Sequence, residues 1–267
     1  MLYDAHNHLQ DEALAAHLPC VLADLRKTGL TRAVVNGTRE ADWERVAALA
    51  QEHPWVLPSY GLHPWHVNAR SAHWRERLTG LVENGRAGIG EIGLDRWIAG
   101  HDLPAQTEVF TWQLALAARH NLPASLHCLK AWGALWEILR THPLPQCGFL
   151  LHAYGGPAEM VEGFARRGAY FSFSGHFLHE RKAARRELFR AIPADRLLVE
   201  TDAPDMPLPS ECTRFTLPPA PDGRPLNHPA NLRAVYEALA ELRGWTLEAL
   251  TAQVAENFER LFGGVVQ

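Results

Sequence analysis

The chain has 267 residues, 47% of them hydrophobic, and a formal net charge of −4 at pH 7. This composition excludes a disordered chain and a generally basic nucleic-acid coat protein, but not a nuclease that contacts phosphate through a few local cations and metal ions. The four cysteines form no C-x-x-C pair and are too sparse for a disulfide framework. Fifteen histidines stand out, which raises the question of whether they cluster around a metal ion.

Short apolar, β-branched or aromatic runs recur along the chain and are typical of strands. Between them lie segments with helical spacing, such as the apolar stripe from Leu14 to Leu25, which is expected to stop at Gly29. Strands are predicted at residues 2–6, 32–37, 56–62, 87–93, 123–128, 148–153, 169–174 and 196–202. Eight strand–helix units predict a parallel sheet closed into a (β/α)8 TIM barrel, a single domain over residues 1–267, with an open doubly wound sheet as the alternative.

Further helices are predicted around residues 114–118 and at 131–139, 157–167, 231–243 and 247–262. Residues 203–229 are rich in proline and are interpreted as a long loop after the last strand, on the catalytic rim of the barrel. The amino terminus lacks a basic segment before an apolar one, and no run of about 18 apolar residues occurs. We therefore expect a soluble, cytoplasmic protein with no membrane association, and no obligate protein partner is indicated.

The first strand ends in two histidines, His6 and His8. Alternate side chains of a strand point to the same face, so both imidazoles are expected on one side. An H-x-H pair alone is more often part of a polar turn than a metal site. The interpretation therefore depends on what lies at the other strand ends.

Ligand-type side chains also lie at or near the carboxyl ends of four later strands, and these ends converge on one face of a parallel barrel. They are Glu91, His127, His152 and Asp202. A buried glutamate is costly unless it is paired or holds a metal. Four histidines and two carboxylates suit one or two divalent ions, with Glu91 bridging, and the ligand types fit Mg²⁺, Mn²⁺ or Zn²⁺.

Several segments match a known family in order and over nearly the whole chain. They include DAHNHLQ (4–10), GLHPW (61–65), GEIGLD (90–95), LHCLKAW (126–132), LHAYGGPAEM (151–160), DRLLVETDAP (195–204) and NHPANL (227–232). The chain thus resembles the TatD family of metal-dependent deoxyribonucleases, within the amidohydrolase-like barrels. The pair GEIGLD and ETDAP is the most specific part of the match.

The resemblance implies that His6, His8 and Asp202 hold one divalent ion together with Glu91. It implies that His127 and His152 hold a second ion with the same glutamate. The implied activity is DNA hydrolysis, often from the 3′ end of single strands, so the expected partner is a nucleic acid, single-stranded DNA. In the hypothetical mechanism the two ions activate a water, Asp202 accepts its proton, and Glu91 and Asp202 are the catalytic carboxylates.

The segments expected to contact substrate depart from the family pattern in three places. The sixth strand is followed by His152-Ala153-Tyr154, and the last loop contains Arg224. The family usually has an arginine two residues after the fifth-strand histidine, whereas this chain has Leu129 there and Lys130 next. Candidate substrate contacts are His63, Lys130, Tyr154 and Arg224, and Trp65 and Trp97 are candidates for stacking on bases. The alternative for Lys130 and Arg224 is a solvated surface side chain, and for the aromatic residues it is packing of the rim. The alternative for His63 is a histidine that supports the site through hydrogen bonds. His176 and His179 are placed in a rim loop without an assigned role.

Two alternatives to a nuclease remain at this point. One is a small-molecule amidohydrolase or esterase on the same barrel, a class that often carries a carbamylated lysine between its metals, where this chain has Glu91. The other is a non-catalytic metal-binding protein. Six ligand-type groups at strand ends argue against the latter, because barrel stability does not require them.

Overall fold

The structure is a computed structural model that describes residues 1–83 and 87–265. Its strands agree with the eight predicted from sequence to within a few residues at each end. They are β1 (Leu2–Asn7), β2 (Leu30–Asn36), β3 (Val56–Tyr60), β4 (Gly88–Asp95), β5 (Ala124–Leu129), β6 (Phe149–Leu151), β7 (Ala169–Ser174) and β8 (Leu197–Glu200). All neighbouring pairs are parallel, in the order β1 to β8.

Backbone hydrogen bonds join the last strand to the first at their carboxyl ends. The amide of Asp202 donates to the carbonyl of His6 at 3.0 Å, and the amide of His8 donates to the carbonyl of Ala203 at 2.7 Å. Below them the carboxylate of Asp4 accepts from the backbone and hydroxyl of Thr201, at 3.0 and 2.6 Å. The sheet is therefore a barrel, and the open-sheet alternative is wrong.

Helices follow the strands and cover the outside of the barrel. They are α1 (Leu18–Lys27), α2 (Trp43–Glu52), α3 (Trp74–Glu83), α4 (Leu103–His120), α5 (Trp132–Thr141), α6 (Val161–Arg166), α7 (Ala183–Leu188), α8 (Leu232–Arg243) and α9 (Leu247–Phe262). Local signals set several ends: Asp102 caps the start of α4, and Gly244 ends α8 in the left-handed conformation. Among the described residues, no helix is long and apolar enough to cross a membrane.

The closest backbone approach near the site lies between β4 and β5, where Gly93 pairs with His127. Gly93 has a φ of +144°, a conformation that residues with a Cβ rarely adopt. A Cβ placed there would lie 2.0 Å from the carbonyl oxygen of His127. Only glycine permits this contact, which sets the distance between the strands that carry Glu91 and His127.

Replacing Gly93 with alanine is expected to destabilise the fold by at least ~3 kcal/mol, since backbone strain adds to a backbone clash. The free energy of unfolding from urea titration measures the effect. Gly133→Ala in α5 is the matched control, because a Cβ there meets nothing within 4 Å. That control should change stability by less than ~1 kcal/mol. Equal effects of the two substitutions would show that the close approach is not a constraint.

Candidate metal and active site

The six ligand-type side chains predicted from the strand ends lie together at the carboxyl end of the barrel. One group forms around Glu91 Oε2, which is 3.4 Å from His6 Nε2 and 3.2 Å from His8 Nε2. Asp202 Oδ1 lies 3.5 and 3.4 Å from the same two nitrogens. The two Nε2 atoms are themselves 3.2 Å apart. Four ligand-type side chains thus face a common point.

A second group forms around the other oxygen of the same carboxylate. Glu91 Oε1 lies 2.9 Å from both His127 Nδ1 and His152 Nε2, and these nitrogens are 3.3 Å apart. Each oxygen of Glu91 therefore faces its own cluster of imidazoles. In this arrangement a single carboxylate could bridge two cations, one through each oxygen.

In a histidine of this site, the hydrogen bond of the ring nitrogen that faces away from Glu91 indicates which nitrogen could bind a cation. His8 Nδ1 lies 2.7 Å from the carbonyl oxygen of Asn36, and an oxygen of that kind only accepts, so Nδ1 carries the hydrogen. His127 Nε2 lies 3.0 Å from Asp95 Oδ2, and His152 Nδ1 lies 3.5 Å from Glu200 Oε1. When the ring is neutral, the nitrogen of His8 and of His127 that faces Glu91 is therefore the one that carries the lone pair. A carboxylate or carbonyl behind the imidazole is typical of metal-ligating histidine.

His63 has the opposite arrangement. Its Nδ1 accepts the backbone N–H of Trp65 at 3.2 Å, so the hydrogen of the neutral ring is on Nε2. That Nε2 points at Glu91 Oε1, 3.4 Å away. Burial lowers the pKa of His63 to about 4, which keeps the ring neutral. His63 is thus a hydrogen-bond donor beside the second group, rather than a ligand with a free lone pair.

Opposite charges hold the two groups together. Burial disfavours a charge on His8, but hydrogen bonds that His8 donates to Asp202 and Glu91 outweigh it and raise the pKa of His8 well above its usual value. Burial likewise opposes ionisation of Glu91, yet the surrounding imidazoles hold its pKa well below the usual value. The site thus consists of ionised carboxylates that face His8, His127 and His152, whose pKa values are raised, and His6, whose pKa burial lowers.

The donor set fits divalent cations. It offers imidazole nitrogens and carboxylate oxygens within 4.8 Å of one another, in overlapping sets that include His6, His8 and Glu91, or His6, His152 and Asp202. All the side chains except His127 are buried. Imidazole with carboxylate is a ligand set for Zn²⁺ and Mn²⁺, and the carboxylates also accept Mg²⁺.

Two carboxylates that support the site were not assigned from sequence. Asp95 is fully buried, holds His127, and accepts the indole N–H of Trp65 at 2.7 Å. Glu200 is also fully buried, lies behind His152, and accepts the hydroxyl hydrogen of Ser172. Both lie within the matched GEIGLD and ETDAP segments, so an acidic residue inside an apolar strand was the available signal.

An open cleft of about 790 Å³ lies above these groups. Its lining includes Lys130, Trp65 and Trp97, three of the side chains predicted to contact substrate. The two tryptophans are 45% and 58% exposed although they are large and apolar. Such exposed aromatic side chains at the mouth of a cleft are typical of a binding surface.

The structure corrects one predicted substrate contact, Tyr154, and places another, Arg224, in an ion pair. Tyr154 is fully buried, its hydroxyl donates to the carbonyl of Pro157 at 2.8 Å, and its ring packs edge-on against Trp132 and Phe171. It therefore packs in the protein interior and is not available to a substrate. Arg224 forms an ion pair with Asp205, a residue of the cleft wall, and is not itself part of the lining. The two side chains of this pair are 39% and 50% exposed, and a role of Arg224 in substrate contact stays a prediction.

Residues 3–263 match the model of the family described as TatD related DNase. A protein of Erwinia tasmaniensis named 3′-5′ ssDNA/RNA exonuclease TatD is 33% identical over 264 residues, covering 98% of this chain and 99% of the relative. A protein of Bacillus subtilis named uncharacterized metal-dependent hydrolase YabD is 29% identical, covering 98% of this chain and 99% of the relative.

Among solved structures, the chain is similar to YjjV, a TatD homologue of Escherichia coli. The TM-score is 0.88 and the sequence identity is 29%, and the match covers 98% of each chain. The similarity thus extends over the whole barrel and its rim.

Proposed function

Because this chain belongs to the TatD-related DNase family, we propose that it is a divalent-metal-dependent phosphodiesterase that cleaves nucleic acid, with single-stranded DNA as the preferred substrate. The observation that carries the proposal is the division of the Glu91 carboxylate between two imidazole clusters. Such a pair of sites is typical of enzymes that hydrolyse phosphodiesters in line.

In this proposal, His6, His8, Asp202 and Glu91 would hold one divalent ion, and His127, His152 and Glu91 would hold the other, with Mg²⁺, Mn²⁺ or Zn²⁺ as the candidates. When bound, such ions supply Lewis-acid charge for the phosphate oxygens and lower the pKa of water toward neutrality.

The side chains supply the remaining steps. Asp202 has a lowered pKa, because charges and hydrogen bonds from the neighbouring histidines outweigh burial, so it is ionised and can accept the proton of the attacking water. His63 can donate its Nε2 hydrogen to a phosphate oxygen held over the second group. Removing one such donor usually lowers the rate by ~10²- to 10³-fold.

The raised pKa values of three histidines are expected to make metal binding depend on pH. Without a cation, His8, His127 and His152 have raised pKa values because facing carboxylates outweigh the effect of burial. A cation takes the same nitrogen lone pairs, so binding at neutral pH releases protons, and affinity should rise with pH by about tenfold per unit for each proton released. Calorimetric titration with Mn²⁺ in two buffers of different ionisation enthalpy measures the release. Heats that do not depend on the buffer would contradict it.

The substrate class is tested by a screen with the purified protein under Mg²⁺, Mn²⁺ and Zn²⁺. The substrates are single-stranded DNA, single-stranded RNA, duplex DNA, bis(p-nitrophenyl) phosphate and a cyclic amide. We expect turnover of single-stranded DNA above that of duplex DNA, with 5′-labelled strands shortened progressively from the 3′ end. Hydrolysis of the cyclic amide with no phosphodiester turnover would contradict the proposal.

A further inference from the structure

The segment between β7 and α8 places three cations on the wall of the catalytic cleft. Arg181 and Lys182 belong to a short 3-10 helix at Glu180–Lys182, and Arg185 lies on α7. Lys130, at the end of β5, lines the same cleft. The whole chain carries a net charge of −4, so this local excess of positive charge departs from its overall balance.

These cations are not neutralised by the protein. In the part of the chain that the structure describes, no acidic side chain forms an ion pair with Lys130, Arg181, Lys182 or Arg185. Arg185 is positioned by a hydrogen bond from Nη1 to the carbonyl oxygen of Gly156, at 3.0 Å, which leaves its charge uncompensated. Unpaired cations at a cleft wall produce a local positive potential that attracts polyanions.

The rest of the cleft mouth is aromatic. Trp65 follows β3 and Trp97 follows β4, whereas the cationic segment follows β7. In a barrel with strands in the order β1 to β8, these positions lie on roughly opposite sides of the mouth. The Trp65 ring is fixed by its hydrogen bond to Asp95. A single strand with phosphates on one edge and unpaired bases on the other matches this division.

We propose that Arg181, Lys182 and Arg185 bind the non-scissile phosphates of a single-stranded polynucleotide, while its bases face Trp65 and Trp97. This inference rests on the proposed function for the nature of the ligand. The three cations and the two tryptophans form a binding track that extends beyond the metal-ligand side chains. Such a track favours a single-stranded polynucleotide over a small phosphodiester. The cations position the substrate and do not touch the reacting bond.

The track is tested by fluorescence anisotropy with a short 5′-fluorescein oligothymidylate, measured with EDTA and again with Mg²⁺, over a series of KCl concentrations. We expect Arg181→Ala/Lys182→Ala to weaken binding at least tenfold. The slope of log K against log salt should become shallower by about 1.4, because each lost contact with a single strand accounts for ~0.7.

The matched control is Arg119→Ala/Lys27→Ala. These two residues lie in the last turns of α4 and α1, at the opposite end of the barrel. The control should bind with the salt slope of the unmodified protein. A double variant at the cleft wall that keeps this slope, or an unmodified protein that binds no single strand, overturns the track.

Trp97→Ala should weaken oligonucleotide binding by roughly tenfold, the usual effect of losing one stacked base, and Trp97→Phe should recover most of it. In turnover, the ratio of kcat/KM for the oligonucleotide to that for bis(p-nitrophenyl) phosphate should fall in the cleft-wall variant, mainly through KM. Strand binding with this salt response but no hydrolysis of any phosphodiester would contradict the proposed function and leave the track standing.

Discussion

Replacing His127 with alanine is expected to lower hydrolysis by about 10³-fold or more while leaving the barrel folded. The substitution removes one of the two imidazole nitrogens that face Glu91 Oε1 at 2.9 Å, so the second ion loses a ligand. A loss of about 4 kcal/mol of transition-state stabilisation corresponds to a rate decrease of this size. Rates on an oligonucleotide, with circular dichroism as the test of folding, measure both effects.

The fold should survive because Asp95 keeps other partners after His127 is removed. Its carboxylate still accepts the indole N–H of Trp65 and the backbone amides of Trp97 and Ile98. His120→Ala is the control, because that exposed side chain lies at the end of α4, away from the cleft. Activity of the His127 variant within twofold of the control would refute the ligand assignment.

Chelation is expected to abolish turnover completely and reversibly. Dialysis against excess EDTA should remove the ions that the four histidines and two carboxylates would hold, and Mn²⁺, Mg²⁺ or Zn²⁺ should restore the rate. Stability should fall as well, because a ligand at 100 times its Kd stabilises the native state by about 2.7 kcal/mol. For a chain of this size the loss corresponds to a decrease in Tm of roughly 5 °C or more.

The rate and the melting temperature are measured on one dialysed sample before and after metal is added back. EDTA saturated with Mg²⁺ serves as the control for effects of the chelator itself. Undiminished turnover in the metal-free sample would rule out metal-dependent catalysis.

The barrel and the convergence of its six ligand-type side chains were predictable because both depend on local patterns. Apolar runs give the strands, and parallel strands bring their carboxyl ends to one edge. Glu91 stands out as a carboxylate within the fully buried strand β4. The division of its two oxygens between two clusters depends on side-chain rotamers, which strand spacing does not fix.

The roles of the supporting carboxylates, Asp95 and Glu200, could not be predicted without the three-dimensional structure. Asp95 and His127 are 32 residues apart, and His152 and Glu200 are 48 residues apart, so only the folded barrel brings each pair together. The burial of Tyr154 could not be predicted for a different reason. Strand β6 ends at Leu151, and Ala153 has a φ of +41°, so the alternation of side chains stops before Tyr154 and its ring turns toward the helices.

The cations of the cleft wall were not predicted as a site either. Arg181 and Lys182 belong to a short 3-10 turn, and Arg185 to the six-residue helix α7. Neither element has an extended period that would indicate which face it presents. Their role depends on where the barrel places the segment after β7.

The most direct test of the account is anomalous diffraction from crystals of the protein grown with Zn²⁺. We predict two peaks on either side of Glu91, ~3.5 to 4 Å apart. One should lie about 2.1 Å from Nε2 of His6 and His8, and the other at the same distance from His127 Nδ1 and His152 Nε2. Crystals that bind zinc only elsewhere on the molecule, or that show no peak in contact with the Glu91 carboxylate, would contradict the account.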